Sequence, residues 1–170
     1  MMMHYSPFKV AEVFKTLAAL APGRIDFGAG RAPGGDMPAM TALASGRRPD
    51  LTEQYDKLEI ILRLMNEQRT GEAVYDNVVA VPFKVDLPQG WLLGSSGQSA
   101  KQAGEAGVGY SFAQFFNGQM SKSIFDAYRN SFQPSYFMEQ PKIITTYAVS
   151  VAETTEEAEY LSMPMQITRL

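Results

Sequence analysis

Short apolar runs ending in glycine or a polar turn alternate with stretches of helical apolar spacing, and this alternation constrains the fold more than any other feature. Ser6-Pro7 places a capping residue before a proline at the first helical position, where the missing N–H does no harm. Phe8, Val10, Ala11, Val13, Phe14, Leu17 and Ala18 follow at helical spacing until Pro22-Gly23 stops the helix. Residues 24–30 read as a short strand, with Ile25 and Phe27 on one face and Asp26, Gly28 and Gly30 on the other. Residues 31–50 read as loop, and residues 52–68 as a helix with a stripe of Tyr55, Leu58, Ile61, Leu62 and Met65. Residues 72–89, broken by Pro82 and Pro88, suggest an extended excursion or loose hairpin. Strands are expected at 91–94, 108–113 and 142–151, and helices after Ser96, over 119–132 and from Thr154-Thr155 onward.

Strict alternation of this kind means parallel strands joined by crossover helices. An open doubly wound sheet and a (β/α)8 barrel both satisfy it. Only four core strands stand out, whereas a closed barrel needs eight and about 250 residues. Opening on a helix also points to something missing upstream. The 170 residues are expected to form one domain, 1–170, with an ordinary globular composition of 45% apolar and 19% charged residues. A net charge of −3 and the lack of any Lys/Arg-rich run give no support to a nucleic-acid surface. Cys is absent and His occurs once, which excludes disulfides, thiolate chemistry and a His-built metal site. No apolar stretch is long enough to span a bilayer and no signal-peptide pattern opens the chain, so no membrane association and a cytoplasmic location are expected.

In parallel α/β proteins ligands bind beyond the C-terminal ends of the strands, which turns strand ends into a list of candidates. In "RIDFGAGRAPGGDM", Gly28 and Gly30 precede Arg31, but Pro33 holds the third glycine position of a dinucleotide fingerprint. Arg31 could grip a phosphate or carboxylate through two parallel hydrogen bonds, or pair with Asp36 or Asp50 to order its loop. In "WLLGSSGQSAKQA", a strand ends at Gly94, and Ser95, Ser96, Gly97, Gln98 and Ser99 open a helix. Its exposed N–H groups and hydroxyls suit a phosphate, unless Ser96 merely caps the helix. If the two elements share a rim, one phosphomonoester could bridge them. "YSFAQFFNGQ" sets Gln114, Phe115, Phe116 and Asn117 at the third strand end, suited to a flat polar heterocycle or simply to the core. His4 and Tyr5 would join the rim if a strand preceded them. With no nucleophile–base pair, paired carboxylate or metal cluster in view, any enzyme chemistry belongs to a cofactor.

Taken in order, "HYSPFKVAEVFKTLAALAPGRIDFGAGRAPGGD", "WLLGSSGQSAKQAGEAG", "YSFAQFFNG" and "YRNSFQPS" resemble the bacterial-luciferase-like flavin monooxygenases, in their group of short single-domain members. The resemblance implies a (β/α)8 TIM barrel holding FMN at its C-terminal rim. It puts Arg31 at the family's phosphate-binding arginine and Ser95–Ser99 at its phosphate-binding turn. It implies a monooxygenase using reduced FMN and O2 on a small organic substrate, with NAD(P)H or a flavin reductase as electron source, and a homodimer. The family usually carries two histidines where Gln114 and Phe115 stand, and this departure withdraws the resemblance's support for an acid/base or substrate-orienting role there. About three strands precede His4 in the family and another follows Leu170, so the chain reads as an internal fragment, an incomplete barrel. The alternative is a non-catalytic or vestigial flavin-binding truncated barrel.

Overall fold

Asp26–Gly30 (β1), Gln89–Gly94 (β2), Gly109–Ala113 (β3) and Ile143–Thr146 (β4) form one parallel sheet in the order β1-β2-β3-β4. A computed structural model describes residues 4–30, 36–43, 45–46, 54–117 and 120–167. Its helices are α1 (Pro7–Leu20), α2 (Met37–Leu43), α3 (Gln54–Met65), α4 (Ala73–Asp76), α5 (Gly97–Glu105), α6 (Gln114–Asn117), α7 (Lys122–Ser131) and α8 (Thr155–Ile167). A doubly wound sheet reverses its strand order at a switch point; these four strands follow in sequence with no reversal. No helix among the described residues is long and apolar enough to cross a membrane.

Helices α1, α3, α5 and α7 cover one face of the sheet. Phe27, Ala29, Leu92, Tyr110 and Phe112 alternate out of their strands into a core with Ala11 of α1, Leu58 and Ile61 of α3, Ala100 and Ala103 of α5, and Tyr128 of α7. Each large apolar side chain so buried stabilises the fold by about 1.5–3 kcal/mol. Phe14 of α1 meets Phe27 of β1 edge-on at 4.7 Å. The Tyr128 hydroxyl donates to the Val108 carbonyl at 3.0 Å and accepts from the Lys142 N–H at 3.0 Å, pinning α7 to the starts of β3 and β4.

Lys15 of α1 is fully buried. Its Nζ donates to Glu67 Oε1 at 3.0 Å and to the Ala80 carbonyl at 2.8 Å, which makes its burial tolerable. This cluster explains why residues 72–88, apart from α4, run as an irregular excursion, the first of the two expected alternatives, and not as a loose hairpin. Thr70 donates its N–H and its hydroxyl to Asp76, and Glu67 Oε1 accepts the Lys84 N–H. Polar side chains thus satisfy backbone that a β-ladder would otherwise pair.

Val13 and Leu17, apolar residues at the helical spacing of α1, are exposed. Three expectations need correction. The supposed loop 31–50 contains α2, because Asp36 Oδ1 caps the Ala39 N–H at 2.9 Å and Pro38 sits in the first turn. The helix expected over 119–132 is α7, beginning after Ser121, with residues 118–119 outside the described set. The long β run 142–151 is strand only over Ile143–Thr146, because β3 ends at Ala113, opposite Thr146.

Candidate functional site

All four strands run the same way, so Gly30, Gly94, Ala113 and Thr146 end on one rim. Gly30 lies opposite Leu93, which puts the end of β1 directly beside the residue before Gly94. The Arg31 candidate lies outside the described residues, as does the rest of 31–35. Its neighbour Gly30 leaves the sheet at the same rim as Ser95.

At the end of β2 the chain turns through Ser95 into α5. Ser96 is the N-cap: its Oγ accepts the Ser99 N–H at 3.3 Å, and the Ser99 Oγ accepts the Ser96 N–H at 3.2 Å. The Ser99 hydroxyl donates to the Ser96 carbonyl at 2.9 Å. The Tyr110 hydroxyl, reaching across from β3, donates to the same carbonyl at 3.2 Å and lies 3.2 Å from Ser99 Oγ. Burial pushes the Tyr110 phenol above its ordinary pKa, against the opposing effect of its hydrogen bonds with the Ser99 hydroxyl and the Ser96 backbone. Gly94 is needed here because a Cβ on it would collide with the Ser99 side chain.

This network divides the predicted residues. Ser99, buried, and Ser96 spend their hydroxyls on the cap and on Tyr110, so their part is to hold the turn. Gly97 and Gln98 begin the helix, and the first-turn N–H groups that a capping serine does not reach are those offered to an anion. A Cβ built on Gly97 meets no atom within 4 Å, which leaves open space at the turn for a ligand.

The weaker candidates fall in two places. Gln114 and Phe115 open α6 right after β3, both partly buried, with the Phe115 and Phe116 rings 4.6 Å apart. His4 is partly buried and Tyr5 exposed, just ahead of α1. A cleft of about 690 Å³ lies elsewhere, between α3 and the last turn of α5, lined by Glu59, Arg63, Gln102, Glu105 and Tyr136. Its Arg63 and Glu59 pair with each other at 2.7 Å, and no strand end reaches it. The rim at Ser95–Gln98 is therefore the better candidate. No group of three or more His, Asp or Glu that could hold a metal occurs among the described residues.

Sequence reasoning missed Tyr110. The signal was there: alternation puts it on the helix-covered face of β3, and a buried tyrosine must find a hydrogen-bond partner.

A family model described as luciferase-like monooxygenase matches residues 1–168. The protein YwcH of Bacillus subtilis (strain 168) is 38% identical over 170 residues, all of this chain and 51% of YwcH. An N-acetyl-S-alkylcysteine monooxygenase of the same organism is 36% identical over 164 residues, 94% of this chain and 47% of that enzyme. The crystal structure of apo-MsnO8 superposes with a TM-score of 0.79 at 34% identity, covering 95% of this chain and 47% of that one. The chain thus spans about half the length of the relatives it matches.

Proposed function

This chain belongs to the luciferase-like monooxygenase family, and from that premise we propose that it forms the phosphate-gripping half of an FMN-dependent oxidoreductase built on a (β/α)8 barrel. The family supports oxidoreductase activity of the monooxygenase type. FMN, O2 and a small organic substrate are the finer reading.

One observation carries it: the N-terminus of α5 opens at the C-terminal rim of the sheet, beside the end of β1, from which Arg31 follows. Donors at such a helix start and a guanidinium from the neighbouring strand end are the groups that bind a phosphomonoester dianion. The residues present fit that group. Gly97 leaves room, the cap network fixes the turn in advance, and Gly94 lets the helix start sit close against the strand. When bound, reduced FMN would supply the electrons with which O2 is turned on an organic substrate. Gly97 and Gln98 would hold its phosphate, Ser96, Ser99 and Tyr110 would keep those donors aimed, and Gln114 and Phe115 would border the rim near the flavin ring.

Titrating the protein with FMN and following flavin fluorescence tests this. Saturable quenching that inorganic phosphate competes away is expected; no binding would end the proposal. Turnover of reduced FMN with O2 then separates an enzyme from a protein that only holds flavin.

A further inference from the structure

Residues 79–88 carry the chain from α4 to β2, and among the described residues no backbone–backbone hydrogen bond involves them. The two hydrogen bonds they do make both end on one ion pair. The Ala80 carbonyl accepts from Lys15 Nζ at 2.8 Å, and the Lys84 N–H donates to Glu67 Oε1 at 2.9 Å. Lys15 Nζ and that same Glu67 oxygen are 3.0 Å apart. The ammonium also lies 5.7 Å from the centroid of the Phe83 ring, close enough for a cation–π contact. Of the segment, the core takes Ala80 fully and Leu87 in part.

Two residues of this cluster hold a backbone conformation that opposes it. Glu67 has φ +56° and Lys84 φ +53°, the left-handed region that residues with a Cβ rarely adopt. Such a conformation persists only where its surroundings enforce it. Here the two enforce each other, through the Lys84 N–H on the Glu67 carboxylate, and Lys15 holds that carboxylate in place. A cavity of about 130 Å³, lined by Leu64, Tyr75, Val78 and Ala80, leaves the start of the segment incompletely packed. Every group involved lies between residues 15 and 88, and neither a sheet edge nor the inner sheet face takes part.

We propose that residues 79–88 are a strap with a single latch, closed by the buried Lys15 ammonium and able to open while the sheet and its helices stay folded. A local opening costs only the contacts it breaks. Here these are two hydrogen bonds, one cation–π contact and the packing of Ala80 and Leu87. Withdrawing the ammonium leaves the Ala80 carbonyl without its donor and the Glu67 carboxylate without its counter-charge. The strain at Lys84 then favours the open strap. Because the strap runs straight into Gln89, its closed state fixes where β2 begins. The inference rests on these contacts and is independent of the flavin reading.

Native-state amide hydrogen exchange, followed by NMR over a series of low urea concentrations, tests it. In the native chain the Lys84 N–H should exchange faster than the Leu92 and Phe112 amides of the sheet. Its rate should barely respond to urea, because the opening exposes little surface, whereas the sheet amides should respond strongly. Lys15→Met should raise the Lys84 exchange rate about 10- to 100-fold while the sheet amides stay protected. Glu67→Gln, at a 36% exposed position where the fold tolerates change, should raise it about tenfold, since its amide still offers an oxygen to the Lys84 N–H. Limited trypsin digestion gives a second reading: cleavage after Lys84 should accelerate in both variants by the same factors. Lys84 exchange unchanged in both variants overturns the proposal, because Lys15 and Glu67 then latch nothing. Lys84 and sheet amides that rise together, with one urea dependence, overturn it as well, because the segment then opens only with the whole fold.

Discussion

The Tyr110 hydroxyl on β3 donates to the Ser96 carbonyl at 3.2 Å, so a residue of one strand holds the helix cap that follows the neighbouring strand. The candidate anion turn is therefore positioned by the core. A phosphate held at α5 would rest on donors whose direction is set by a buried phenol and a buried serine.

Tyr110→Phe should accordingly cost about 1 kcal/mol of stability and weaken FMN binding by loosening the turn. Differential scanning calorimetry and flavin titration check the two effects. Stability that drops with FMN affinity unchanged would show that Ser96 and Ser99 hold the turn unaided.

The alkaline limb of stability follows from the same phenol and from Tyr128, whose pKa burial also raises against the hydrogen bond from the Lys142 backbone. A group with its folded-state pKa above the unfolded value keeps its stabilisation below the unfolded value, here near 10.0, and loses it as pH rises through the folded one. The urea midpoint of the native protein should fall above about pH 10. In Tyr110→Phe and Tyr128→Phe that fall should be shallower, and an unchanged slope would contradict the assignment.

At the acid end the group to watch is Glu67. The Lys84 N–H, then Lys15, hold its carboxyl below the ordinary 4.5. A depressed carboxyl contributes stability that is present above the unfolded value and lost as pH falls through the folded one. Glu67→Gln should flatten stability below pH 4.5, and Lys15→Met should lower Tm by about 5 °C at neutral pH by leaving the Ala80 carbonyl unmet. Thermal melts between pH 3 and pH 7 decide both, and parallel acid limbs for Glu67→Gln and the native protein would count against the cluster.

Gly94→Ala puts a methyl group into the Ser99 side chain. The expected cost is about 1–3 kcal/mol, with α5 pushed off the strand and FMN binding reduced further than stability alone explains. Urea unfolding and flavin titration on the same preparation provide the comparison.

Arg31→Ala should weaken FMN about 100-fold and riboflavin hardly at all, because only FMN carries the phosphate. Fluorescence titrations with the two ligands read the difference directly. Equal losses for both would remove Arg31 from the phosphate site.

Element identity was legible wherever the local pattern was strong. The helix at α3 showed through Leu58, Ile61, Leu62 and Met65, all buried as their spacing required. The turn after β2 showed through Gly94 and its serines. The site was half legible: Ser96 could be read as cap or as ligand group, and only the distances to Ser99 and Tyr110 assigned it to the cap. Segment 72–89 fits both an extended excursion and a loose hairpin, and the sequence could not choose because its backbone partners, Lys15 and Glu67, lie far off in sequence or outside any β pattern. Asp36 was overlooked as a cap because the glycines and prolines around it also spell loop.

Alternating periodicities by themselves determined an α/β chain with parallel strands, since side-chain period and crossover handedness are local consequences of backbone geometry. Tertiary structure alone decided that the four strands follow in unbroken order, that α1, α3, α5 and α7 gather on one face, and that Tyr110 locks the start of α5. Those outcomes depend on which distant residues meet, and meeting is a matter of packing and hydrogen-bond satisfaction that no local pattern encodes.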